Sequence, residues 1–227
     1  MNDMNRRRLE RLGRVETYGT DNASSFPPDS KGGKAIASIR AIIAEIETLD
    51  ASRNTGASKA RQGTGIKRDK RRSLRARVST ICRTTKTIAL DEPEFKDKFR
   101  LPGKSISDQV LLSFARSIRA EAEPFKAKFI EYDMPADFLS SLDEELADFE
   151  SAITQQNSGV GARASALSAI DAALDRAEDE IERLDTIIRN KFANDPAKLA
   201  AWEVAKRLER APRGKSAVSK PPAAPAP

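Results

Sequence analysis

Apolar residues recur at alternating steps of three and four between residues 167 and 188. This spacing keeps them on one face of an α-helix for about six turns. Such a stripe is typical of a helix that packs its apolar face into a bundle or a coiled coil. The stripe consists of Leu167, Ile170, Leu174, Ala177, Ile181, Leu184 and Ile188.

The same rhythm upstream predicts further long helices. They cover about residues 34–52, a segment ending near residue 90, residues 105–129 and residues 135–156. Ser105 is the expected N-cap of the third of these helices. Pro124 lies inside the same helix and is expected to kink or split it.

Small and polar residues predict where these helices end. Asn54 and Gly56 are the expected stop of the first helix, and the run 157–161 is the expected stop of the fourth. Residues 57–72 are ambiguous, because the apolar register extended backwards places Lys67 and Arg71 at seam positions. This segment is therefore expected either to project beyond the bundle or to stay flexible.

The two ends of the chain differ in composition from the middle. A short helix rich in arginine is predicted at residues 5–17. A linker that contains Pro27 and Pro28 is predicted at residues 18–33. Asp195 and Pro196 begin a last short helix, which Trp202 is expected to anchor on the bundle. Residues 212–227 consist mainly of Pro, Ala, Ser and Lys and are expected to be disordered.

The predicted fold class is all-α, because no stretch shows the alternating β-branched pattern of a strand. We expect an antiparallel up-and-down helical bundle of four to five long helices with disordered termini. The predicted domains are a basic N-terminal arm and linker (1–33), a helical bundle with a short C-terminal helix (34–211), and a disordered tail (212–227).

Composition argues against most enzyme classes. The chain contains no histidine and one cysteine, Cys82. It therefore lacks the commonest general base and metal ligand, and it cannot form an internal disulfide. The run Gly63–Lys67 superficially suggests a phosphate loop, but it lacks the preceding strand and the Walker spacing. We predict no catalytic residue, no metal site and no cofactor.

Charge is distributed unevenly along the chain. Residues 1–86 contain 20 Lys and Arg against 9 Asp and Glu, whereas residues 87–200 contain 14 against 23. The acidic cluster 143–150 lies off the apolar seam, which predicts a solvated face or pairing with a basic neighbour. The basic segment 59–86 is open to two interpretations: contact with an anionic partner, or packing beside the acidic helices.

The candidate contacts with an anionic partner lie in two groups. One group is in the N-terminal helix and the other is in the basic segment. They are Arg6, Arg7, Arg8, Arg11, Lys67, Arg68, Lys70, Arg71, Arg72 and Arg75.

Several short runs resemble parts of bacterial helical-bundle proteins of unknown function. The runs are Arg189–Phe192 with Asp195–Pro196, Ala201–Glu203, Glu209–Arg213, Thr84–Phe99 and Pro135–Leu139. The resemblance covers about residues 34–213. It implies a helical fold and a bacterial source, and it carries no activity or site.

The sequence favours a non-enzymatic structural or protein-interaction bundle that acts as a scaffold or adaptor through its surface and its basic arms. The alternative is a sequence-independent nucleic-acid-binding protein that uses residues 59–77 and the N-terminal arginines. A protein partner or self-association is expected, and no small-molecule substrate is inferred. No apolar run approaches the length of a membrane span, and the expected location is the cytoplasm.

Overall fold

The computed structural model describes residues 1–96 and 98–209, and within these residues the chain is all-helical, with no strand. This confirms the predicted fold class. The helices are α1 (Asp3–Asp21), α2 (Lys31–Asp91), α3 (Asp108–Ala122), α4 (Lys126–Glu131), α5 (Phe138–Lys191) and α6 (Pro196–Ala205). Short 3-10 turns cover Ala23–Ser25, Pro93–Phe95 and Glu123–Phe125.

The predicted breaks inside α2 and α5 are wrong. Both helices continue through glycines that were expected to end them. A Cβ atom on Gly159 would lie 2.7 Å from the backbone nitrogen of Ala60, and one on Gly56 would lie 3.0 Å from that of Arg163. These glycines therefore allow two helix backbones to approach closely, and they do not terminate either helix. The ambiguous segment 57–72 is helical throughout.

The chain divides into two compact units. Unit 1 comprises Met1–Leu49 and Ser168–Pro227, and unit 2 comprises Asp50–Leu167. These boundaries differ from the predicted ones, because both limits fall inside long helices. The physical reason is that the apolar residues form two separate buried clusters.

In unit 1, the N-terminal helix is part of the core. Leu12 and Val15 on α1 are each only 1% exposed, and Tyr18 packs its ring 5.3 Å from that of Trp202. The segment expected to be a linker is short, because α1 extends to Asp21. The Phe26 side chain anchors this connection by an edge contact with the ring of Phe192. Residues 1–33 are therefore built into the unit, in contrast to the expected tethered arm.

The C-terminal helix of unit 1 forms as expected. Asp195 caps α6 by accepting a hydrogen bond from the backbone N–H of Lys198 at 3.1 Å, and Pro196 occupies the first turn. Trp202 is fully buried, which confirms its predicted role in anchoring this helix. The tail predicted to be disordered, residues 212–227, lies outside the described residues.

In unit 2, α3 begins two residues later than predicted. The N-cap is Ser107, whose hydroxyl accepts a hydrogen bond from the N–H of Val110 at 3.3 Å. The expected cap, Ser105, lies outside the helix. Pro124 splits the predicted helix 105–129 into two, as expected: α3 ends at Ala122 and α4 begins at Lys126.

Candidate anion-binding surface on α2

The N-terminal arginines face carboxylates of the same unit. The Arg8 guanidinium lies 2.7 Å from the carboxylate of Asp175 and 3.1 Å from that of Glu178. Arg11 also pairs with Glu178. Arg6 and Arg7 pair with Asp3 on α1 itself, at 2.6 Å and 3.4 Å.

The ion pairs of Arg8 and Arg11 bind α1 to α5 within unit 1. Burial of Arg8 acts to lower its pKa, but hydrogen bonds and charge from Asp175 and Glu178 outweigh burial and raise the pKa above its ordinary value. The Arg11 side chain is only 10% exposed. Arg8 and Arg11 are thus committed to intrachain contacts and present little charge to a partner.

Three of the predicted cations on α2 are held by acidic residues of unit 2. The ammonium group of Lys67 lies 3.0 Å from the carboxylate of Asp108, which also pairs with Arg71. Lys70 lies 2.5 Å from the carboxylate of Asp148 on α5. Arg71 additionally donates to the carbonyl oxygen of Ile106. These contacts explain why charged side chains occupy the seam in this part of α2.

The other three predicted cations on α2 are neutralised less by nearby carboxylates. Arg68 and Arg72 are 72% and 75% exposed, and they share one carboxylate, that of Asp69, at 3.5 Å and 3.9 Å. Arg75 donates to the carbonyl oxygens of Pro102 and Gly103 at 2.8 Å and 3.1 Å. Carbonyl groups satisfy the hydrogen bonds of this guanidinium without neutralising its positive charge.

Exposed cations line up along one side of α2, and we call this set the basic face. At about 100° of rotation per residue, its members fall within about 40° of one line on the helix surface. Arg75 lies at the edge of the set. The basic face consists of Arg61, Arg68, Arg72, Arg83 and Lys86.

Sequence reasoning missed part of this surface. Arg61, Arg83 and Lys86 lie in the basic segment 59–86 but were not named as candidate contacts, yet all three are exposed, and none forms an ion pair with another described residue. The signal that could have found them is the helical spacing 61, 68, 72, 83 and 86. This spacing was obscured because a break was expected within residues 54–72.

The acidic cluster on α5 lies opposite basic residues of unit 2. Asp143 pairs with Arg119 at 3.1 Å, and Glu145 pairs with Arg77 at 3.0 Å. Asp148 pairs with Lys70, and Glu150 with Arg116. Pairing with basic neighbours, one of the two outcomes expected for this cluster, therefore accounts for these four carboxylates.

The groups with the largest pKa shifts are tied to packing. Burial raises the pKa of the Cys82 thiol to about 11, although the charge of Lys86 acts to lower it. The thiol therefore stays protonated at neutral pH and behaves as a buried apolar group. A hydrogen bond to Asp91 raises the pKa of Tyr132 to about 12.

No cluster of three or more potential metal-ligating residues occurs within residues 1–96 and 98–209. Over the same residues, the structure contains no helix with the length and hydropathy of a membrane span. The run Gly63–Lys67 is part of α2 and forms no loop.

Comparison of the chain with protein-family models, with curated proteins and with solved structures gave no match.

Proposed function

We propose that this protein is a non-enzymatic helical scaffold or adaptor that holds an anionic macromolecular partner against the basic face. The bundle itself is proposed to be antiparallel and up-and-down. The observation that carries the proposal is the contrast between two sets of cations. Most of the cations predicted from the sequence pair with carboxylates within the chain. The five cations of the basic face are exposed, and among the described residues Asp69 is the one carboxylate that pairs with them, through Arg68 and Arg72.

The helix that carries the basic face is firmly supported on its opposite side. Leu74, Val78 and Ile81 are completely buried in the core of unit 2. Ion pairs from α2 to Asp108, Glu145 and Asp148 fix its rotation. Rigid support of this kind favours binding, because the contact residues lose little further backbone entropy when a partner docks.

Contacts along α2 and α5 support the proposed bundle topology. In unit 2, Gly56 approaches Arg163, Gly63 approaches Gln156, and Lys70 pairs with Asp148. In unit 1, Ser38 donates to Glu180, and Glu45 pairs with Arg176. Within each unit, residue numbers thus rise along α2 while they fall along α5, as in neighbouring helices of opposite direction.

The partner test uses charge reversal on the basic face. Arg61→Glu, Arg72→Glu and Arg83→Glu are combined in one variant of the full chain. The matched control combines Arg40→Glu, Arg176→Glu and Arg183→Glu, which are exposed positions of unit 1 with the same total change of charge. Both variants are expected to keep the helical circular dichroism spectrum, since exposed ion pairs contribute little stability.

Affinity capture from nuclease-treated extract of the native cell then tests whether a protein partner binds through the basic face. The proposal expects a protein that the wild type and the control capture in equal amount, and that the basic-face variant captures weakly. Equal capture by both variants, or no nuclease-resistant partner at all, would overturn it.

A second candidate function is sequence-independent binding of nucleic acid. One observation favours it: the cations of the basic face extend over about 38 Å of helix, which is close to the length of one turn of B-DNA. Long-range attraction to phosphates needs this distribution of charge and no apolar anchor.

Fluorescence anisotropy with a labelled duplex at several salt concentrations tests this candidate. Five phosphate contacts would give a slope of log K against log salt of about −4.5, and the basic-face variant would reduce its magnitude by about 3. The control variant should keep the wild-type slope. Absence of binding at low salt would eliminate the candidate.

Two further parts of the proposal rest on the sequence. A cytoplasmic location is supported by the single cysteine, Cys82, which has no partner for an internal disulfide. A bacterial source and membership of a group of uncharacterised helical proteins rest on the resemblance of the short runs described above.

A further inference from the structure

We propose that unit 1 contains a binding site for a phosphate monoester, a ligand in which a doubly charged phosphate group is joined to an apolar body. The site is a groove between the first two turns of α2 and the C-terminal half of α5. It shares no residue with the basic face, so this inference is independent of the macromolecular partner proposed above.

The groove has a volume of about 580 Å³, which is within the range of small-molecule sites in proteins. One stripe of side chains from each helix lines it, since the lining residues are three or four positions apart on both helices. The structure describes α2 and α5 without a gap, and it also describes the residues that connect α1 to α2 and α5 to α6. The lining includes Lys31, Lys34 and Ala35 on α2, and Glu180, Arg183 and Ile187 on α5.

The two lysines of the groove carry uncompensated charge. Lys31 and Lys34 are exposed, and neither forms an ion pair with another described residue. They are three positions apart, which places their side chains next to each other on one side of the helix. Asp29 lies just before α2, but it pairs with neither of them. Adjacent like charges repel one another, so an anion bound between the two ammonium groups would relieve that repulsion.

The acidic residue of the groove is already engaged. The carboxylate of Glu180 lies 3.0 Å from the guanidinium of Arg183, and it accepts a hydrogen bond from the hydroxyl of Ser38 at 3.3 Å. The α5 wall thus contributes an ion pair, whereas the α2 wall contributes two unpaired ammonium groups. The net charge of the described lining residues is therefore positive.

The floor of the groove is apolar and closely packed. Ala35 is only 5% exposed, and Ile187 is partly buried against the core of unit 1. A Cβ atom on Gly32 would lie 3.4 Å from Cγ2 of Ile187, so the first turn of α2 lies directly against α5. An apolar body in the groove would remove the remaining surface of Ile187 from water.

The first turn of α2 is held in place by the residue that precedes it. The Ser30 hydroxyl accepts a hydrogen bond from the backbone N–H of Gly33 at 3.0 Å and donates one to the carbonyl oxygen of Pro27 at 2.6 Å. The backbone that carries Lys31 and Lys34 is therefore fixed before a ligand binds. This lowers the entropic cost of binding.

Charge and extent favour a phosphate monoester over a carboxylate or a nucleic acid. A phosphate monoester carries a charge of about −1.5 to −2 at neutral pH, which matches two ammonium groups, whereas a monocarboxylate would leave one of them uncompensated. Lysine binds phosphate as a point charge. Lys31 and Lys34 are separated by a rise of about 4.5 Å along α2, which suits one phosphate group and is too short to follow a nucleic-acid backbone.

Isothermal titration calorimetry of the full chain with phenyl phosphate at neutral pH tests the site. Inorganic phosphate supplies the charge without the apolar body, and benzoate supplies the same ring with a single charge. We expect saturable binding of one phenyl phosphate per protein, and affinities for the two other probes that are lower by about tenfold or more.

Charge reversal locates the binding. Lys31→Glu and Lys34→Glu are combined in one variant, which is expected to keep the fold because glutamate in the first turn of a helix is favourable. Its affinity for phenyl phosphate should fall by about tenfold or more. The matched control combines Lys59→Glu and Lys104→Glu, which are exposed positions of unit 2 that form no ion pair with another described residue.

The basic-face variant of the partner test separates this site from the proposed function. That variant should bind phenyl phosphate with wild-type affinity, although it no longer holds the macromolecular partner. The variant with Lys31→Glu and Lys34→Glu should show the reverse behaviour. Loss of one kind of binding without the other therefore identifies which of the two proposals fails.

The proposal is wrong if phenyl phosphate shows no saturable binding, or if benzoate or inorganic phosphate binds equally well. An unchanged affinity in the variant with Lys31→Glu and Lys34→Glu would also overturn it. So would an equal loss of affinity in the matched control, since general surface charge would then explain the binding.

Discussion

At the scale of single residues, Asp185 shows how one carboxylate can hold several groups together. It accepts hydrogen bonds from the indole N–H of Trp202 at 2.8 Å and from the ammonium group of Lys206 at 2.6 Å. The Arg189 guanidinium donates to its other oxygen at 3.0 Å. Partial burial acts to raise the pKa of Asp185, but these three donors outweigh burial and lower the pKa to about 2.

The lowered pKa gives a pH-dependent prediction. The unfolded-state pKa is near the ordinary value of 3.8, so the stabilisation is fully present above about pH 4. It is lost as the pH falls towards 2. We expect Asp185→Asn to lower the free energy of unfolding by about 1–2 kcal/mol at pH 7. Urea unfolding followed by Trp202 fluorescence measures this difference.

The same measurement between pH 5 and pH 2 provides the check on the cause. The difference between wild type and Asp185→Asn should shrink as the pH falls through this range. A difference that stays constant with pH would show that the ionised carboxylate is not its origin.

At the scale of elements, α2 and α5 show what a sequence can predict and what it cannot. The apolar stripe between 167 and 188 was predicted correctly, because its periodicity is a local property of the chain. The stops expected at residues 54–56 and 157–161 were wrong, because glycine weakens a helix by only about 1 kcal/mol. Close packing between Gly56 and Gly159, which are distant in sequence, outweighs that local preference.

Substitution of Gly159 tests this interpretation. In Gly159→Ala the new Cβ would lie 2.7 Å from the backbone nitrogen of Ala60, so the two helices must separate. We expect the free energy of unfolding to fall by about 1–3 kcal/mol, measured by urea denaturation with circular dichroism.

Gly161 provides a matched control two residues away. A Cβ on Gly161 would meet nothing within 4 Å. Gly161→Ala should therefore stabilise the protein by about 0.5–1 kcal/mol through its helix propensity. If both variants are stabilised, the close approach of α2 and α5 is not a constraint on residue 159.

The candidate site was only partly predictable for a similar reason. The sequence identified segment 59–86 as basic, but exposure of each cation depends on which carboxylates the fold brings near it. Asp108 neutralises Lys67 and Arg71 from 41 and 37 residues away. No local pattern marks Asp108 as their partner, so Lys67 and Arg71 were grouped with Arg68 and Arg72, which are exposed.

At the scale of the whole molecule, both ends of the described chain belong to the same unit. Residues of α1 and α6 share the core of unit 1, where the rings of Tyr18 and Trp202 are in contact. The sequence predicted α1 as part of an arm, because the small and polar residues of 18–33, with Pro27 and Pro28, indicate a linker between it and the bundle. Its arginines complete the docking through Asp175 and Glu178.

Truncation of Leu12 tests whether α1 is structural. Leu12 is 1% exposed, so Leu12→Ala should lower the free energy of unfolding by about 2–5 kcal/mol. Met4 on the same helix is 50% exposed, and Met4→Ala should change stability by less than about 0.5 kcal/mol. Urea unfolding followed by Trp202 fluorescence compares the two. A similar small effect in both would mean that α1 is dispensable for unit 1.

Unit 1 is built from two segments that are far apart in the sequence, and this has a consequence for biosynthesis. Unit 2 is one uninterrupted stretch, Asp50–Leu167, whereas α1 packs on parts of α5 and α6 that are translated later. At about 5–20 residues per second, the ribosome needs several seconds to make the intervening chain. Nascent α1 therefore emerges with Leu12 and Val15 uncovered and must wait for its partners on α5 and α6, whereas the whole of unit 2 is translated before residue 168.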